Sequence, residues 1–366
     1  MLVNAPSASG LGERGLHVAA AFGGAVVLCR EGGRLRTVAR FCSAVVRLHP
    51  ETIYGIDNAV TVLFAALVGR TLFGSRFVLD TGDAIGPLRA GRSWIGGLLG
   101  HVMERIGYLL AWKVVARSTG LANRIQRLSS KQAVVIPDGC DLEQIPEGNG
   151  EDARVRWHCG SDTTVIGVVG SANWNERLGW CYGRDVIEAV ARSRRNDLMG
   201  VLVVSGDGVP RLRDLAANRK VSERIIFDAP LPGYDVYKQI QGFDVAVSTQ
   251  TDDEVGQCRT TGKLIQYIAA GKFVLASRVG EAARILPEEM LVPYRGAWDE
   301  DYFARLADRI DGLPARAELS TAGLCLQQKL AEGFDYHRIF KQLIRLDLVN
   351  DQSNLRTTQQ RQRRRW

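Results

Sequence analysis

The sequence predicts an α/β protein built from two doubly wound parallel sheets. Short apolar runs alternate with helical stretches through the first part of the chain. A polar connector rich in Glu and Gly follows at Glu143–Thr163, and the alternation then restarts. Strands that alternate with helices form parallel sheets that are covered on both faces. A length of 366 residues suits two such domains.

The first predicted domain, residues 1–150, has six strands separated by five helices. The strands are the β-branched or apolar runs Leu2–Asn4, Ala25–Cys29, Thr52–Gly55, Phe77–Asp80, Val114–Ala116 and Ala133–Ile136. The helices are the longer stretches Gly15–Phe22, Arg34–Leu48, Asn58–Leu72, Ser93–Ala111 and Thr119–Leu128. Parallel strands need crossover connections of this kind, so the order predicts a doubly wound sheet.

The second predicted domain, residues 163–330, follows the same pattern with a different sequence. Its strands are Val165–Val169, Val201–Ser205, Arg224–Phe227, Val245–Ser248 and Phe273–Ala276. Its helices are Tyr182–Arg192, Val209–Ala217, Tyr234–Gln241, Lys263–Ala270 and Tyr302–Ile310. Residues 331–350 predict a C-terminal helix at Tyr336–Leu346, and residues 351–366 predict a basic, disordered tail. Ligands of such sheets bind outside the carboxyl ends of the strands, which predicts a cleft between the domains.

Composition and charge exclude several classes of protein. With 46% apolar and 24% charged residues, the chain is neither disordered nor collagen-like. Residues 355–366 hold five arginines and no acid, so the formal charge of +7 falls to +2 without them. The excess charge therefore belongs to a tail and predicts no nucleic-acid partner.

Cysteine usage and hydropathy predict a cytoplasmic protein. Seven cysteines form an odd set without a C-x-x-C pair, which favours a reduced chain over a disulfide or zinc framework. The longest uncharged apolar run, Asn58–Gly69, is shorter than the about 20 residues of a bilayer span. No signal peptide precedes the first strand-like run, Met1–Pro6. Contact with the inner face of the membrane stays open.

The segment Val255–Gly280 carries the clearest chemical signal, because its 26 residues include four cationic side chains and no acid. Thr260 and Thr261 predict the cap of a helix, and Gly271 predicts its left-handed end. A lysine in the first turn, as at Lys263, interacts unfavourably with the helix dipole, at a cost of about 0.3–1 kcal/mol. Two interpretations follow: an anion bound on free backbone N–H groups with Lys263 as counter-charge, or a capped surface helix with a solvated lysine.

A set of motifs runs in order through residues 133–290. In chain order they read VVIPDGCDLEQI, VIGVVGSANW, YGRDVIEAV, LVVSGDG, IIFDAPLP, DVAVST and GKLIQYIAAGKFVLASRVGEAARIL. The last resembles the signature K-x-x-E-Y-x-A-x-G-x-P-V-x-A-S-x-x-G of glycosyltransferase family 4, and the others resemble elements of the same family. The resemblance implies the GT-B fold, in which two doubly wound, Rossmann-like domains face each other across a cleft.

The resemblance also implies how the second domain binds a nucleotide sugar. Gln266 stands at the position of a ribose-binding glutamate, and its amide still hydrogen-bonds a hydroxyl. Cys258 stands at the other glutamate of that pair. Thr260–Gly262 occupy the place where backbone amides meet the diphosphate, and Ala229 and Leu231 belong to the loop near the base.

The cations with which the family clamps the diphosphate are absent from their usual positions. Those positions hold Ser171 and Tyr182. The resemblance still implies that Ser171 belongs to the donor site. Fixed positive charge facing a departing diphosphate contributes about 3–4 kcal/mol per group. The resemblance therefore leaves Lys263, Arg259 or Arg177 to supply that charge.

Two features of the first domain are candidates for the opposite wall of the cleft. Ser9–Gly15 (SGLGERG) places Gly10 and Gly12 in a G-x-G-x-x-G pattern. It is interpreted as the family's glycine loop facing the donor phosphate, as a dinucleotide site, or as a plain turn. In LDTGDAIG, Gly82 replaces the histidine that the family often has. Asp83 next to it is a candidate to orient the acceptor hydroxyl or act as base, and a structural turn aspartate is the alternative.

A broad apolar stripe marks the predicted helix Ser93–Ala111. It consists of Trp94, Ile95, Leu98, Leu99, Met103, Ile106, Leu109 and Leu110. Its helical spacing predicts packing against the sheet. The alternative is contact with a membrane beside Arg89 and Arg92, to which each tail arginine adds about 1 kcal/mol near anionic lipid.

Taken as a whole, the resemblance implies a retaining glycosyltransferase of the hexosyltransferase type. Such an enzyme moves a sugar from a nucleotide sugar, which is a co-substrate, to an acceptor hydroxyl. The resemblance implies neither a cofactor nor a metal. The acceptor is a cell-surface polysaccharide, a lipid-linked saccharide or a small natural product. The alternatives are an inert GT-B scaffold, a GT-B sugar-nucleotide epimerase, and a nicotinamide dehydrogenase built on SGLGERG.

Overall fold

Two parallel sheets of six strands each organise the chain. A computed structural model describes residues 1–23, 25–91, 93–176 and 179–345, with side chains as far as residue 341. The first sheet consists of β1 (Leu2–Val3), β2 (Leu28–Cys29), β3 (Thr52–Ile56), β4 (Arg76–Thr81), β5 (Lys113–Ala116) and β6 (Val134–Val135). The second consists of β7 (Thr164–Ser171), β8 (Leu198–Ser205), β9 (Ile225–Asp228), β10 (Val245–Ser248), β11 (Phe273–Ser277) and β12 (Leu291–Val292). Arg92, Arg177, Leu346 and the predicted tail lie outside the described residues.

The strand orders confirm the predicted doubly wound α/β architecture. The first sheet runs β2-β1-β3-β4-β5-β6 and the second runs β12-β11-β10-β7-β8-β9. All pairings within the two sheets are parallel. In such a sheet the ligand crevice opens where the strand order reverses, at the carboxyl ends of the strands. In the second sheet that point lies between β7 and β10.

The helices lie between the strands. In the first half, which we define by β1–β6, they are α1 (Gly10–Ala21), α2 (Arg34–Leu48), α3 (Val60–Phe73), α4 (Ile85–Ala90), α5 (Trp94–Leu110) and α6 (Thr119–Ser129). After α7 (Glu151–Arg156), the second half, defined by β7–β12, contains α8 (Arg184–Arg192), α9 (Val209–Asn218), α10 (Val236–Ile240), α11 (Glu254–Cys258), α12 (Gly262–Ala269) and α13 (Ala282–Ile285). The chain ends with α14 (Tyr302–Asp311), α15 (Arg316–Leu330) and α16 (Tyr336–Arg345).

One local prediction was wrong, and two short helices were not predicted. The predicted connector Glu143–Thr163 contains the helix α7, whose Arg154 is buried and pairs with Asp244 at 3.0 Å. Residues 254–258 form the short helix α11, because Asp253 caps it by accepting from the backbone N–H of Gly256. The predicted loop SGLGERG is helical, because Ser9 caps a helix that already begins at Gly10.

The C-terminal helix α16 returns to the first half. Its Tyr336, Ile339 and Phe340 share a buried cluster with Val3 and Val18. The chain therefore passes between the halves twice, once after β6 and once just before α16. These two connections lie side by side: the N–H of Cys140 donates to the carbonyl of Phe334, and the N–H of Tyr336 donates to the carbonyl of Cys140. All seven cysteines of the sequence are free thiols.

Helix α5 turns its apolar stripe outwards, so the predicted packing of that stripe against the sheet was wrong. Its buried residues are Gly97, Gly100, Glu104, Gly107 and Tyr108, whereas Trp94, Ile95, Leu98, Leu99, Ile106 and Leu109 are exposed. At Gly100 a side chain would collide with the backbone of α4, 2.9 Å away. The small residues thus allow close helix packing, which leaves the large residues outside. Among the described helices, none is long and apolar enough to cross a membrane.

Candidate functional site

The N-terminus of α12 lies at the point where the second sheet reverses its strand order. Thr261 precedes the helix, but its hydroxyl lies 3.3 Å from that of Ser248 at the end of β10 and caps no backbone N–H. Gly262 begins the helix and is exposed. The predicted side-chain caps were therefore wrong, because Thr260 instead donates to the carbonyl of Arg117 at 3.2 Å. Uncapped N–H groups at a helix start are an anion-binding feature.

Lys263 points its ammonium group towards the end of β7. Nζ is buried, has no hydrogen-bond partner among the described residues, and lies 2.9 Å from the centre of the Tyr182 ring. Burial lowers the pKa of Lys263 to about 7, while Asp185 raises it and Arg259 lowers it further. The interpretation of Lys263 as a solvated surface lysine was therefore wrong. A desolvated ammonium without a hydrogen-bond partner is costly, and a bound anion would offset that cost.

Arg259 joins the two halves across the cleft. Its Nε donates to Oδ1 of Asp83 at 2.7 Å, and Tyr182 lies beside its guanidinium. Asp83 follows β4 in the first half, and its carboxylate raises the pKa of Arg259 although burial lowers it. The structure thus brings together the two candidates Arg259 and Asp83, and it places the ammonium of Lys263 over the ring of Tyr182.

The two positions of the missing clamp have different environments. Ser171 ends β7 and is exposed. Tyr182 is half-buried, and its hydroxyl accepts a hydrogen bond from Nε2 of Gln250 at 2.9 Å. Of the three cations predicted to replace the clamp, Lys263 and Arg259 both contact Tyr182, and Arg177 lies outside the described residues.

The remaining candidates of the second half are Gln266, the loop after β9 and Cys258. Gln266 is half-buried one turn beyond Gly262 on α12, on the same face of the helix. The loop after β9 is fixed by Gln239, which donates to the carbonyl of Ala229 and accepts from the N–H of Leu231, each at 2.9 Å. Cys258, in contrast, packs among apolar residues of the first half, and burial raises its pKa to about 11.

The glycines of α1 do not form the predicted loop. A side chain at Gly12 would lie 2.3 Å from the carbonyl oxygen of Ser7, so the residue is small because the chain folds tightly back on itself. Gly10 is exposed at the first turn of the helix, with open space beside it. Glu13 accepts a hydrogen bond from the hydroxyl of Tyr234 in the second half. The start of α1 therefore faces the cleft as a helix end.

Sequence reasoning missed a buried charge network beside Asp83. Asp80 is fully buried at the end of β4 and accepts from Nε of Arg14 at 2.8 Å, Nε of Arg117 at 3.1 Å and the hydroxyl of Tyr54 at 2.8 Å. Burial would raise the pKa of Asp80, but the two guanidinium groups hold it below its usual value. Arg14 lies inside SGLGERG, where the glycine pattern obscured a charged residue on the inner face of a helix.

Solved structures share this two-sheet arrangement. HepE from Anabaena in complex with UDP and glucose is similar with a TM-score of 0.73 at 15% identity, covering 94% of this chain and 97% of that one. Sucrose-phosphate synthase from Thermosynechococcus elongatus is similar with a TM-score of 0.66 at 20% identity, and the match covers 87% of this chain and 82% of that one. The fold is GT-B. No family model and no curated protein matches the sequence, so these likenesses establish the GT-B fold alone.

The GT-B fold gives the site its position. A glycosyltransferase from Rickettsia africae shows the same fold with a TM-score of 0.66 at 14% identity, covering 94% of this chain and 96% of that one. In this chain the cleft between the GT-B halves is crossed by the Arg259–Asp83 pair. The buried ammonium of Lys263 and the uncapped start of α12 lie on the side of the second half.

Proposed function

We propose that this chain is a retaining glycosyltransferase that moves a hexosyl group from a nucleotide sugar to an acceptor hydroxyl. The observation that carries the proposal is the buried, unpartnered ammonium of Lys263 beside the uncapped N-terminus of α12. Together they offer a positive charge and free N–H donors at the crevice of a doubly wound sheet, which suits a diphosphate. The likeness to HepE, solved with UDP-glucose, supports the same class of ligand.

In this proposal each candidate has a separate task. The N–H groups of Thr261 and Gly262, with Lys263, hold the diphosphate, and Gln266 binds the ribose. The loop containing Ala229 and Leu231 borders the base, and Gly10 at the start of α1 approaches the phosphate from the first half. These positions rest on the resemblance of the sequence together with the location of α12.

The transfer needs no protein nucleophile in this arrangement. The acceptor oxygen bonds to the anomeric carbon on the face that the diphosphate leaves, the bond from that carbon to the phosphate oxygen breaks, and the acceptor proton moves to that phosphate oxygen. Lys263 and Arg259 stabilise the negative charge that develops on the leaving group. Asp83, held by Arg259, orients the acceptor hydroxyl. The proposal includes no metal ion and no cofactor.

A thermal-shift series with UDP, GDP, dTDP, ADP and NAD tests the proposed site. One nucleoside diphosphate at about 100 times its dissociation constant is expected to add about 2.7 kcal/mol to the free energy of unfolding. Lys263→Met is expected to abolish this gain, because the ammonium is lost while the length of the side chain is kept.

Lys272→Met is the matched control. Lys272 is also a half-buried lysine of the second half, but it lies at the amino end of β11, away from the carboxyl ends of the strands, and it donates to the carbonyl of Gln241 at 2.7 Å. Stabilisation by NAD alone would overturn the proposal, and no response to any ligand would favour the inert scaffold. Consumption of the donor without an acceptor would favour the epimerase. The anomeric configuration of the product, measured by NMR, tests retention.

The exposed face of α5 supports a membrane-borne acceptor such as a lipid-linked saccharide. Trp94 is 76% exposed and Leu98 is 58% exposed. The adjoining helix α3 also exposes Phe64 and Leu67. The only acid of these two helices, Glu104, is buried, whereas Arg105 is exposed. An apolar face flanked by cations suits the surface of an anionic bilayer.

Removing apolar side chains from this face is expected to weaken membrane binding. Burial of each leucine contributes about 1.5–3 kcal/mol, so the double variant Leu98→Ser/Leu99→Ser is expected to reduce binding to anionic phospholipid vesicles by more than about tenfold in a sedimentation assay. The control is Leu16→Ser/Leu324→Ser, which replaces two exposed leucines on α1 and α15. Equal binding of both double variants would contradict the proposed contact.

A further inference from the structure

Three segments that are distant in the sequence meet where the chain passes between the halves. The first connection and the second form a parallel bridge between Cys140 and Asp335. Helix α1 lies against this bridge, because the ring of His17 stacks on that of Tyr336 with 4.6 Å between the ring centres. A ligand held by all three segments would fix the arrangement of the connections.

Each segment contributes one metal-binding side chain to the same point. These are His17 from α1, Asp141 from the first connection and His337 from α16, and their candidate ligand atoms all lie within 4.8 Å of one another. Nε2 of His337 is 3.4 Å from Oδ2 of Asp141. Ligand atoms of a tetrahedral zinc ion stand about 3.3 Å apart, so this pair already has the required separation. The imidazole rings of His17 and His337 are perpendicular, with centres 5.7 Å apart.

The carboxylate of Asp141 is held in place before any ion binds. Oδ2 accepts from Nε2 of Gln144 at 2.6 Å, and Oδ1 accepts from the N–H of Glu143 at 3.1 Å. The backbone N–H of Asp141 donates to the hydroxyl of Tyr234 at 2.7 Å. Contacts of this kind orient a metal ligand and raise the affinity of the site.

The surrounding charge favours a cation. The carboxylates that face His17 are those of Glu13, Asp141 and Asp335. Glu13 lies one helical turn before His17, with Oε1 4.0 Å from its Nε2. The side chain of His337 is 51% exposed, so an ion can enter from solvent without unfolding the bridge.

We propose that His17, Asp141 and His337 bind a zinc-class divalent metal ion, with water in the fourth position, and that this ion fixes the two connections against α1. Two imidazoles and one carboxylate are a donor set that zinc accepts in tetrahedral geometry. The sequence predicted no metal site, because the ligands come from three distant segments. The ion acts on the arrangement of the halves and takes no part in sugar transfer.

The test is titration of the metal-free, full-length protein with zinc chloride alone. One equivalent is expected to bind with micromolar or tighter affinity and to raise the melting temperature. Cobalt(II), used as a spectroscopic substitute, is expected to give the intense visible bands of a tetrahedral site. His337→Gln is expected to weaken binding by at least about tenfold and to remove those bands.

Two control variants separate this site from other metal-binding groups. His158→Gln changes a histidine elsewhere in the chain, and Cys325→Ser removes an exposed free thiol. Both are expected to leave zinc affinity and the cobalt spectrum unchanged. Unchanged affinity in His337→Gln and His17→Gln, loss of binding in Cys325→Ser, or no binding at micromolar zinc would each overturn the proposal.

The effect on the halves is measured by small-angle scattering. Zinc is expected to narrow the distribution of distances in the native protein and to leave that of His337→Gln unchanged. The same distribution with and without zinc in the native protein would overturn the claim that the ion fixes the connections.

Discussion

Asp80→Asn is expected to lower the free energy of unfolding by about 3–5 kcal/mol. Asp80 is the fully buried carboxylate between Arg14 and Arg117, and its removal leaves two buried guanidinium groups without their common counter-charge. Asp138 lies 3.4 Å from Arg14 and 3.6 Å from Arg117, but its side chain is 22% exposed and it replaces only part of the lost interaction. Urea denaturation measures the change as a shift of the midpoint.

The effect of Asp80→Asn is also expected to depend on pH. The folded-state pKa of Asp80 lies below its usual value, so its contribution to stability is present above the unfolded pKa of about 3.9. That contribution is lost as the pH falls through the folded pKa. The difference between the native protein and the variant is therefore expected to shrink in acid.

Asp235→Asn provides the matched control for the same chemical change. Asp235 pairs with Lys238 at 2.6 Å, and both side chains are more than half exposed. An exposed pair contributes within about 1 kcal/mol. A loss in Asp80→Asn no larger than the loss in Asp235→Asn would contradict the structural role of the buried network.

Affinity for the nucleotide sugar is expected to fall as the pH rises above 7. The ammonium of Lys263 has a pKa of about 7 in the free protein, and a bound diphosphate keeps it protonated. Binding then requires uptake of a proton above pH 7, which weakens affinity by up to about tenfold per pH unit. Between pH 6 and pH 8.5 the dissociation constant of UDP-glucose, or of the nucleotide sugar that the thermal-shift series selects, is expected to rise about thirtyfold.

Lys263→Met is expected to bind weakly at every pH and to lose this dependence. The stability of the ligand-free protein changes in the opposite direction. The folded pKa of Lys263 is below its unfolded value of 10.5, so burial of the charged form destabilises the fold most below pH 7, and this penalty disappears as the pH rises towards 10.5. The variant is therefore expected to be more stable than the native protein at pH 6. A pH dependence of binding that survives in Lys263→Met would assign the titrating group elsewhere.

The sequence was sufficient to predict the parallel sheets because buried strands form continuous apolar runs. The first six residues of β7 are all buried, and the run Val165–Val169 was visible as a strand from composition alone. The end of α12 was equally clear, because Gly271 adopts a positive φ of 65° where the sequence predicted a left-handed residue.

Side-chain direction in the site was not predictable from local pattern. Lys263 has the same sequence environment whether its ammonium points to solvent or towards β7, and the choice depends on Tyr182, which is distant along the chain. The predicted packing of the apolar stripe of α5 was wrong for a related reason. Its apolar period was read correctly, but the glycines between the large residues determine which face approaches the neighbouring helix. Arg14 and Asp80 are 66 residues apart, so only the folded sheet brings their charges together.

The return of α16 to the first half has a consequence for the order in which the protein forms during translation. Ile136 of the first half shares its buried cluster with Tyr336, which the ribosome adds 200 residues later. At about 5–20 residues per second this interval lasts about 10–40 s. During that time the surface of the first half that α16 will cover remains open to water, to chaperones and to other nascent chains.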